Sequence, residues 1–287
     1  MKAIKLYILV LFVFTSSACT KKTPEGPVGG NEKTDIEIIQ DATWESHAVS
    51  EGVTWKYFHF DDLFKSKQSV TLFEVDLKKA VEIDIPYVNS GFLKTSDASI
   101  NTRALIGFNG GFFNTSTGGS TVFFKKDGKI IKHTRDGFTP YRENGAMTID
   151  ENSKVRIVEK PEDGWESLSA PTALASGPLL IHDGKALSQK DKPFNSNRHP
   201  RTAIGVTDDD RLLVFVVDGR SSQAHGMSIK ELTTLFEAFN CHSALNLDGG
   251  GSSTAWVKNR GVINYPSDNK KFDHQGERGV ATVIVVK

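Results

Sequence analysis

Residues 201–220 read RTAIGVTDDDRLLVFVVDGR and decide the expected fold. Two apolar runs, at 203–206 and 212–217, flank three consecutive aspartates. Runs of branched and aromatic side chains favour buried β-strands, and aspartates favour the turn between them. The stretch therefore predicts an antiparallel hairpin.

The second of these strands leads directly into an acid and a base, in the tripeptide Asp218-Gly219-Arg220. A carboxylate at the end of a buried strand is costly unless it is paired or has a function. Asp218 is therefore a candidate catalytic residue. A structural ion pair between Asp218 and Arg220 is the alternative interpretation.

The same pattern of apolar runs around a short polar turn recurs along the chain. Asp127-Gly128 suits the type I′ turn of a tight hairpin, because both residues tolerate a positive φ. Further strands are predicted in pairs at 122–124 with 130–131, 146–149 with 155–158 and 179–181 with 186–187, and singly at 70–77, 104–108 and 280–286.

One helix is predicted among these strands. Ser228 and Glu231 have the spacing of a capping box, and Leu232, Leu235 and Phe236 follow at helical spacing. Several hairpins with a packed helix indicate a single α+β domain, a strand-rich mixed sheet with a few packed helices.

The N-terminus has the pattern of an export signal. Lys2 and Lys5 precede an apolar run at 7–14, which is too short to span a bilayer comfortably, and small residues then lead to Cys19. This order resembles a lipoprotein signal at 1–18, with Cys19 as the lipidated residue. An ordinary secretory signal is the alternative.

The remaining chain divides into a tether and a folded domain. Residues 19–34 are rich in Pro, Gly and charge, which predicts a flexible tether. The folded domain is predicted at 35–287, with 35–100 as an N-terminal extension of a motif-bearing core at 101–287. We expect an extracytoplasmic protein, attached to a bacterial membrane only through its lipid, in the periplasm or on the cell surface.

Charge and cysteine content narrow the classes of partner. Lys plus Arg and Asp plus Glu number 35 each, so no overall positive field draws the protein to nucleic acid.

If Cys19 is lipidated, Cys241 stands alone and no internal disulfide forms. Cys241 ends an amphipathic stretch, which indicates a buried small hydrophobe. The oligomeric state does not follow from the sequence.

Two strand ends combine polar side chains with chemistry suited to anions and sugars. Asn109 and Gly110 end one predicted strand, and Arg201 and Thr202 begin another. Glycine permits close backbone approach, asparagine suits a hydroxyl or phosphate oxygen, and the arginine fork suits bidentate phosphate recognition. A tight strand exit and a solvated loop are the alternatives.

The segment LDGGGSST at 247–254 places three glycines between Asp248 and two serines. Bare glycine amides can cradle anionic oxygens. The segment lacks the lysine of a P-loop and the G-x-S-x-G of a nucleophile elbow. A structural turn is the alternative.

In this order, the segments resemble the phosphodiester glycosidase family. The matching stretches are NGGFF at 109–113, SGPLLI at 176–181, RTAIGV at 201–206, DGR at 218–220, GMSIKEL at 226–232, LDGGGSST at 247–254 and RGVATVI at 278–284. The resemblance implies a hydrolase that acts on a carbohydrate phosphodiester and releases a sugar such as N-acetylglucosamine. It implies no cofactor and leaves room for a structural divalent cation.

The implied reaction assigns roles to the motif residues. A phosphate leaving group departs without strong protonation if its charge is met, so one carboxylate and a cationic cluster suffice. We assign Asp248 or Asp218 as base or nucleophile, and expect three arginines to hold the phosphate. The predicted substrate-binding residues are Asn109, Gly110, Arg201, Thr202, Arg220, Gly249, Gly250, Ser252, Ser253 and Arg278.

Two other functions remain open at this point. A metal-dependent phosphodiesterase would use Asp218 and Asp248 with His199 or His225 as ligands, although no H-x-H or H-E-x-x-H spacing supports it. A surface glycan-binding lipoprotein would keep the cleft without turnover. Release of free sugar separates the binding protein from both enzymes, and sensitivity to a chelator separates the two enzymes.

The anchor gives the first testable prediction. Replacing Cys19 with Ser removes the only thiol available for lipidation at the signal, so the protein should leave the membrane fraction. Fractionation of cells that express the full chain measures this, with Cys241→Ser as the control that should stay membrane-bound. A Cys19→Ser protein that remains in the membrane fraction would show that the lipoprotein interpretation is wrong.

Overall fold

The hairpin predicted at 201–220 lies at the centre of the largest sheet. In the computed structural model, which describes residues 32–79 and 81–287, β13 (Arg201–Thr207) pairs antiparallel with β14 (Arg211–Val217). β14 also pairs with β3 (Gln68–Asp76), and β13 also pairs with β15 (Cys241–Asn246). Both strands of the hairpin are thus interior strands, which explains their continuous apolar sequence.

This first sheet has eight strands. Their order is β1 (Glu45–Ser50), β2 (Val53–Phe60), β3, β14, β13, β15, β11 (Leu179–His182) and β12 (Lys185–Ala186). The first three strands come from the region predicted as an N-terminal extension. The extension and the motif-bearing core therefore share one sheet.

Two five-stranded sheets complete the β structure. One has the order β7 (Lys129–Lys132), β6 (Phe124–Lys126), β10 (Thr172–Ser176), β8 (Gly145–Ile149) and β9 (Val155–Glu159). The other has the order β17 (Gly261–Val262), β16 (Ala255–Val257), β5 (Ile106–Asn109), β18 (Val283–Val286) and β4 (Ile83–Asp84). In the β6–β7 turn, Asp127 and Gly128 have φ of 50° and 77°, as the predicted type I′ turn requires.

The main core lies where the three sheets meet. Val214 of the eight-stranded sheet, Met147 of β8 and Phe108 of β5 all belong to one buried cluster. A second cluster covers the other face of the eight-stranded sheet, where Phe215 packs against Phe236 of the helix described next, with ring centroids 4.9 Å apart. The large sheet is thus buried on both faces.

The predicted helix is present and begins at the predicted cap. The described α-helices are α1 (Asp35–Asp41), α2 (Thr95–Asn101), α3 (Pro193–Ser196) and α4 (Ile229–Ala238). Before α4, the Ser228 amide donates to Glu231 Oε2 at 2.8 Å, and the Glu231 amide donates to Ser228 Oγ at 3.3 Å. None of the helices in the described ranges is long and apolar enough to cross a membrane. The predicted α+β class is confirmed.

The strand predicted at 280–286 needs a correction, whereas the environment predicted for Cys241 is confirmed. The strand predicted at 280–286 is shorter, since β18 spans Val283–Val286. Cys241 is a buried free cysteine, and burial raises the pKa of its thiol to about 12, in agreement with a small hydrophobe. Cys19, the predicted signal and the predicted tether as far as residue 31 lie outside the described residues.

Candidate active site

Asn109, at the end of β5, ties three chain segments together. Its Nδ2 donates to the carbonyl oxygen of Asp248 at 2.7 Å. Its Oδ1 accepts the Thr202 hydroxyl at 2.6 Å and the Thr254 amide at 3.2 Å. Because Asn109 is fully buried, its amide group holds the segments in place and is not available to a sugar. The prediction that Asn109 contacts substrate is therefore replaced by a positioning role.

Backbone hydrogen bonds bring the same segments to one place. The Leu247 amide donates to Thr202 O at 2.8 Å, and the Asp248 amide donates to Gly110 O at 3.1 Å. Gly219, next to Asp218, lies so close to the same region that a methyl group on it would come within 3.0 Å of Pro200 N. The four segments singled out in the sequence therefore come together in one region of the structure.

Asp248, at the start of the glycine loop, is more exposed than Asp218 and is the carboxylate better placed for chemistry. Its side chain is half-buried and lies beside the Ser252 hydroxyl. Burial raises the pKa of Asp248 to about 6, while Ser252, the Gly249 amide, Arg142 and Arg278 oppose the rise. A carboxyl group with such a pKa is ionised at neutral pH and can accept a proton or attack.

Asp218, in contrast, is sealed inside the protein. It is 1% exposed, and its Oδ2 accepts the Ser69 hydroxyl at 2.7 Å. Its Oδ1 accepts Asn264 Nδ2 and the Tyr265 amide, each at 2.9 Å. Burial raises the pKa of Asp218 to about 6 against these hydrogen bonds.

The two aspartates therefore differ in role, which the sequence left open. Every hydrogen bond of the Asp218 carboxyl goes to β3 or to the 264–265 loop. Asn264 in turn donates to Ser253 O at 3.1 Å, so Asp218 supports the glycine loop from behind. Asp218 is enclosed by these contacts, and the ion pair with Arg220 is absent from the salt bridges of the described residues. The structure therefore gives Asp218 a supporting position, and its assignment as base or nucleophile stays an untested prediction.

Arg201 is also buried, with 1% of its surface exposed. Its Nε donates to Met227 O at 2.9 Å, and its Nη2 donates to Phe194 O at 2.6 Å and Asn197 O at 3.1 Å. Burial, and then the nearby Arg142, lower the pKa of Arg201 to about 9. The predicted phosphate fork is thus occupied by main-chain carbonyls, because Arg201 anchors the 194–197 segment to β13.

The glycine loop lies against the other two predicted arginines. A methyl group at Gly250 would come within 3.0 Å of Arg220 Nη2, and one at Gly251 within 2.5 Å of Arg278 Nη2. Arg220 is exposed. Arg278 is bound through Nε to Asp268 Oδ1 at 2.8 Å. The glycines therefore make room for guanidinium groups, which is a steric reason for their place in the loop.

The remaining predicted binding residues form the wall behind the cleft. The Gly250 amide donates to Pro200 O at 2.8 Å, so it is not free for an anion. Gly249 is half-buried beside it. Four residues are buried and lie in this wall, namely Gly110, Thr202, Ser252 and Ser253. The hydroxyls of the two serines are buried: that of Ser252 lies beside the Asp248 carboxyl, and that of Ser253 has no partner among residues 32–79 and 81–287.

Arg142 is a component that the sequence analysis missed. Its guanidinium carbon lies 4.1 Å from the ring centroid of Phe194 and 4.5 Å from that of Phe112, so the group is held between two aromatic faces. Its Nε is buried without a hydrogen-bond partner in the part of the chain that the structure describes. Burial lowers the pKa of Arg142, and Asp248 nearby opposes this. Arg142 is the last residue of a short 3₁₀ turn (Pro140–Arg142) outside every motif, so no local signal marks it.

The ligands proposed for a metal ion do not come together. His225 Nδ1 lies 2.6 Å from the Ser66 hydroxyl, and the oxygens of Asp218 are occupied as described. His199 has a pKa lowered by burial and by Arg201 and Arg220. Within the described residues, no group of three His, Cys, Asp or Glu side chains has the arrangement to hold a metal ion.

A carboxylate surrounded by arginines defines a site for an anionic substrate. The sequence profile described as phosphodiester glycosidase matches residues 102–287. The chain belongs to the phosphodiester glycosidase family.

Individual relatives agree with this family. An uncharacterized SPbeta prophage-derived protein of Bacillus subtilis is 29% identical over 55% of this chain and 28% of its own length. The N-acetylglucosamine-1-phosphodiester alpha-N-acetylglucosaminidase of Mus musculus is 26% identical over 66% of this chain and 39% of its own. The matches thus span well under half of these relatives.

A solved structure shares the fold. The catalytic domain of zebrafish N-acetylglucosamine-1-phosphodiester alpha-N-acetylglucosaminidase, auto-inhibited by its pro-peptide, superposes with a TM-score of 0.65 and 23% identity. The match covers 85% of this chain and 88% of that one. A protein from Synechocystis matches with a TM-score of 0.64 and 15% identity.

The sealed Asp218 gives a prediction about stability. Its pKa of about 6 in the folded state lies above the ordinary value of 3.8, so the folded protein binds more protons between these pH values. The free energy of unfolding should therefore fall as pH rises from about 4 to 6. Asp218→Asn removes this titration, so the variant should gain on the order of 3 kcal/mol relative to the parent across that window.

Urea unfolding of both proteins at several pH values between 4 and 7 measures this difference. Asp209→Asn is the control, because Asp209 is exposed and hydrogen bonds to Thr207 and Arg211 lower its pKa. The difference between that variant and the parent should hardly change over this range, because the lowered pKa places the titration of Asp209 below its ordinary value of 3.8. A difference between the Asp218→Asn protein and the parent that does not change with pH would contradict the prediction.

Proposed function

We propose that this protein hydrolyses a sugar-1-phosphodiester by breaking the bond between the anomeric carbon and the phosphate oxygen. The observation that carries the proposal is the half-buried Asp248 beside Arg142, a cation whose Nε lacks a partner within the described ranges. Membership in the phosphodiester glycosidase family supports the class of reaction. The name of the mouse relative suggests N-acetylglucosamine as the sugar released.

The chemistry needs a base or nucleophile and a place for the leaving charge. Ordinary glycoside hydrolysis uses two carboxyl groups, one of which protonates the leaving oxygen. Among the acids near the glycine loop, Asp218 is sealed and Asp268 is bound to Arg278, which leaves Asp248. When the anomeric bond breaks, its electron pair leaves with the phosphate, so the departing group needs cations more than a proton donor.

Asp248 acts at the anomeric carbon in this proposal. As a base it would take a proton from water while the water oxygen bonds to carbon. As a nucleophile its oxygen would bond to carbon first, and water would then release the sugar. With a pKa of about 6, the carboxyl group is ionised at neutral pH in either case.

Arg142 and Arg220 are the cations that we assign to the phosphate. Arg142 is fixed between Phe112 and Phe194, so its donors are oriented before substrate arrives. Arg220 is exposed at Gly250 and adds charge at the mouth of the cleft. Arg201 contributes positive potential from behind. Such preorganised charge stabilises the transition state without reorganisation.

We also propose that the enzyme works outside the cytoplasm, held to a membrane by lipid at Cys19. The support is the N-terminal pattern alone, namely Lys2, Lys5, the apolar run at 7–14 and Cys19. The fractionation experiment with Cys19→Ser tests it.

The function is tested with a methyl phosphodiester of N-acetylglucosamine 1-phosphate as substrate. The protein should release free N-acetylglucosamine and methyl phosphate, and Asp248→Asn should lower kcat at least about 100-fold, as expected for loss of a catalytic carboxylate. Asp127→Asn makes the same chemical change in an exposed turn and should keep full activity. Binding of the substrate without release of sugar would favour the non-catalytic glycan-binding alternative and overturn the proposal.

The phosphate clamp gives a separate prediction. Arg142→Met keeps an apolar stem between the two phenyl rings and removes the charge, so kcat/KM for the phosphodiester should fall about 10²–10³-fold. The thermal transition should change little, because no hydrogen bond of the Nε is lost. Arg211→Met, at an exposed ion pair with Asp209, is the control with unchanged activity. Normal kinetics in the folded Arg142→Met protein would remove Arg142 from the clamp.

A further inference from the structure

A groove of about 690 Å³ opens beside the candidate active site. Its lining includes two aromatic rings, Phe92 and Phe113, and the ion pair of Arg278 with Asp268. Arg278 also lies against Gly251 of the glycine loop, where a methyl group would come within 2.5 Å of its Nη2. Arg278 therefore lies between the groove and the glycine loop that begins at Asp248.

Phe92 is unusual because it is large, apolar and 49% exposed. Its neighbours are fixed on both sides: the Gly91 amide donates to Thr117 O at 2.9 Å, and the Leu93 amide donates to Val280 O at 2.8 Å. Gly279 lies directly beside it, since a methyl group there would come within 2.7 Å of Phe92 Cβ. The exposed ring is thus held by backbone anchors and by a glycine that makes room for it.

Phe113 supports the ring of Phe92 from the protein side. The two rings meet edge to face, with centroids 6.0 Å apart. Phe113 is the last residue of the NGGFF segment, and its neighbour Phe112 packs against Arg142. Phe112 therefore packs against the Arg142 guanidinium, whereas Phe113 supports Phe92 in the groove.

The rim of the groove carries groups that suit hydroxyls. Asp97, Asp268, Lys94 and Thr115 line it alongside the rings. Carboxylates accept hydrogen bonds, and ammonium and hydroxyl groups donate them. An aromatic face next to such groups matches a sugar ring, which has an apolar face of C–H groups and an edge of hydroxyls.

We propose that this groove is the subsite for the sugar that is released, with its ring stacked on Phe92 and its anomeric carbon directed to Asp248. This inference rests on the proposed function. The side of the site follows from charge: Arg142 and Arg220 both lie near the buried Arg201 and mark the phosphate side, whereas the groove's Arg278 is neutralised by Asp268. The phosphate and the sugar therefore extend from Asp248 in different directions.

The experiment compares Phe92→Ala, Phe92→Tyr and the parent protein in two measurements. The first is hydrolysis of N-acetylglucosamine 1-phosphate methyl ester, in which the aglycone is too small to need a subsite. Phe92→Ala should raise KM about 3- to 10-fold with little change in kcat, the range expected for loss of one ring contact. Phe92→Tyr keeps the ring and should restore the KM of the parent. Ile130→Ala, also at an exposed apolar residue, is the control.

The second measurement is independent of turnover. Saturation-transfer NMR with free N-acetylglucosamine should show binding to the parent, to Phe92→Tyr and to Asp248→Asn, and a clear loss of signal with Phe92→Ala. If no protein hydrolyses the ester but this pattern holds, the proposed function fails and the subsite stands. A parent protein that hydrolyses the ester with a KM unaffected by Phe92→Ala overturns the subsite alone. An effect of Phe92→Ala that appears only when methyl is replaced by a bulky sugar aglycone overturns the assignment to the released sugar.

Discussion

The hydrogen bonds of the Asn109 side chain determine where the catalytic loop lies. One amide group reaches the Asp248 carbonyl, the Thr202 hydroxyl and the Thr254 amide, so it joins β5 to β13 and to both ends of the glycine loop. Buried amides are costly unless all their hydrogen bonds are made, and this one makes three. The site therefore depends on a side chain that substrate does not touch, because the position of Asp248 follows from it.

The arginines of the site fall into two groups according to the hydrogen bonds that their guanidinium groups make. One group holds the structure together, and the other keeps donors for a ligand. Arg201 donates to three main-chain carbonyls, which compensates for the burial of its charge. Arg142 instead lies between aromatic rings, which favour a cation without using its donors. A buried guanidinium that lacks some of its hydrogen bonds is destabilised by the loss of hydration. An anion that accepts hydrogen bonds from it offsets this loss. Arg142, whose Nε has no hydrogen-bond partner within the described residues, therefore favours the binding of a negatively charged group beside Asp248.

The sequence predicted the parts of this structure that local rules govern. The Asp127-Gly128 turn, the Ser228 cap and the β13–β14 hairpin follow from turn chemistry, capping and periodicity, and they occur as predicted. The motif order predicted the family and the convergence of its segments. Exposure could not be predicted, because whether Asp218 or Asp248 faces solvent depends on β3 and on the 264–265 loop, which are distant in sequence. Arg142 and Phe92 were missed for the same reason, since each is defined by rings or strands from elsewhere in the chain.

The eight-stranded sheet extends beyond the boundary at which the family resemblance begins. β3 lies before residue 102, yet it pairs with β14 from Arg211 to Val217. A polypeptide trimmed to the family boundary would leave β14 as a sheet edge with six successive buried apolar residues uncovered. Such an edge is a template for pairing with other chains, so the trimmed fragment would be prone to aggregation. The stretch of chain that completes this sheet is therefore longer than the stretch that the family profile recognises.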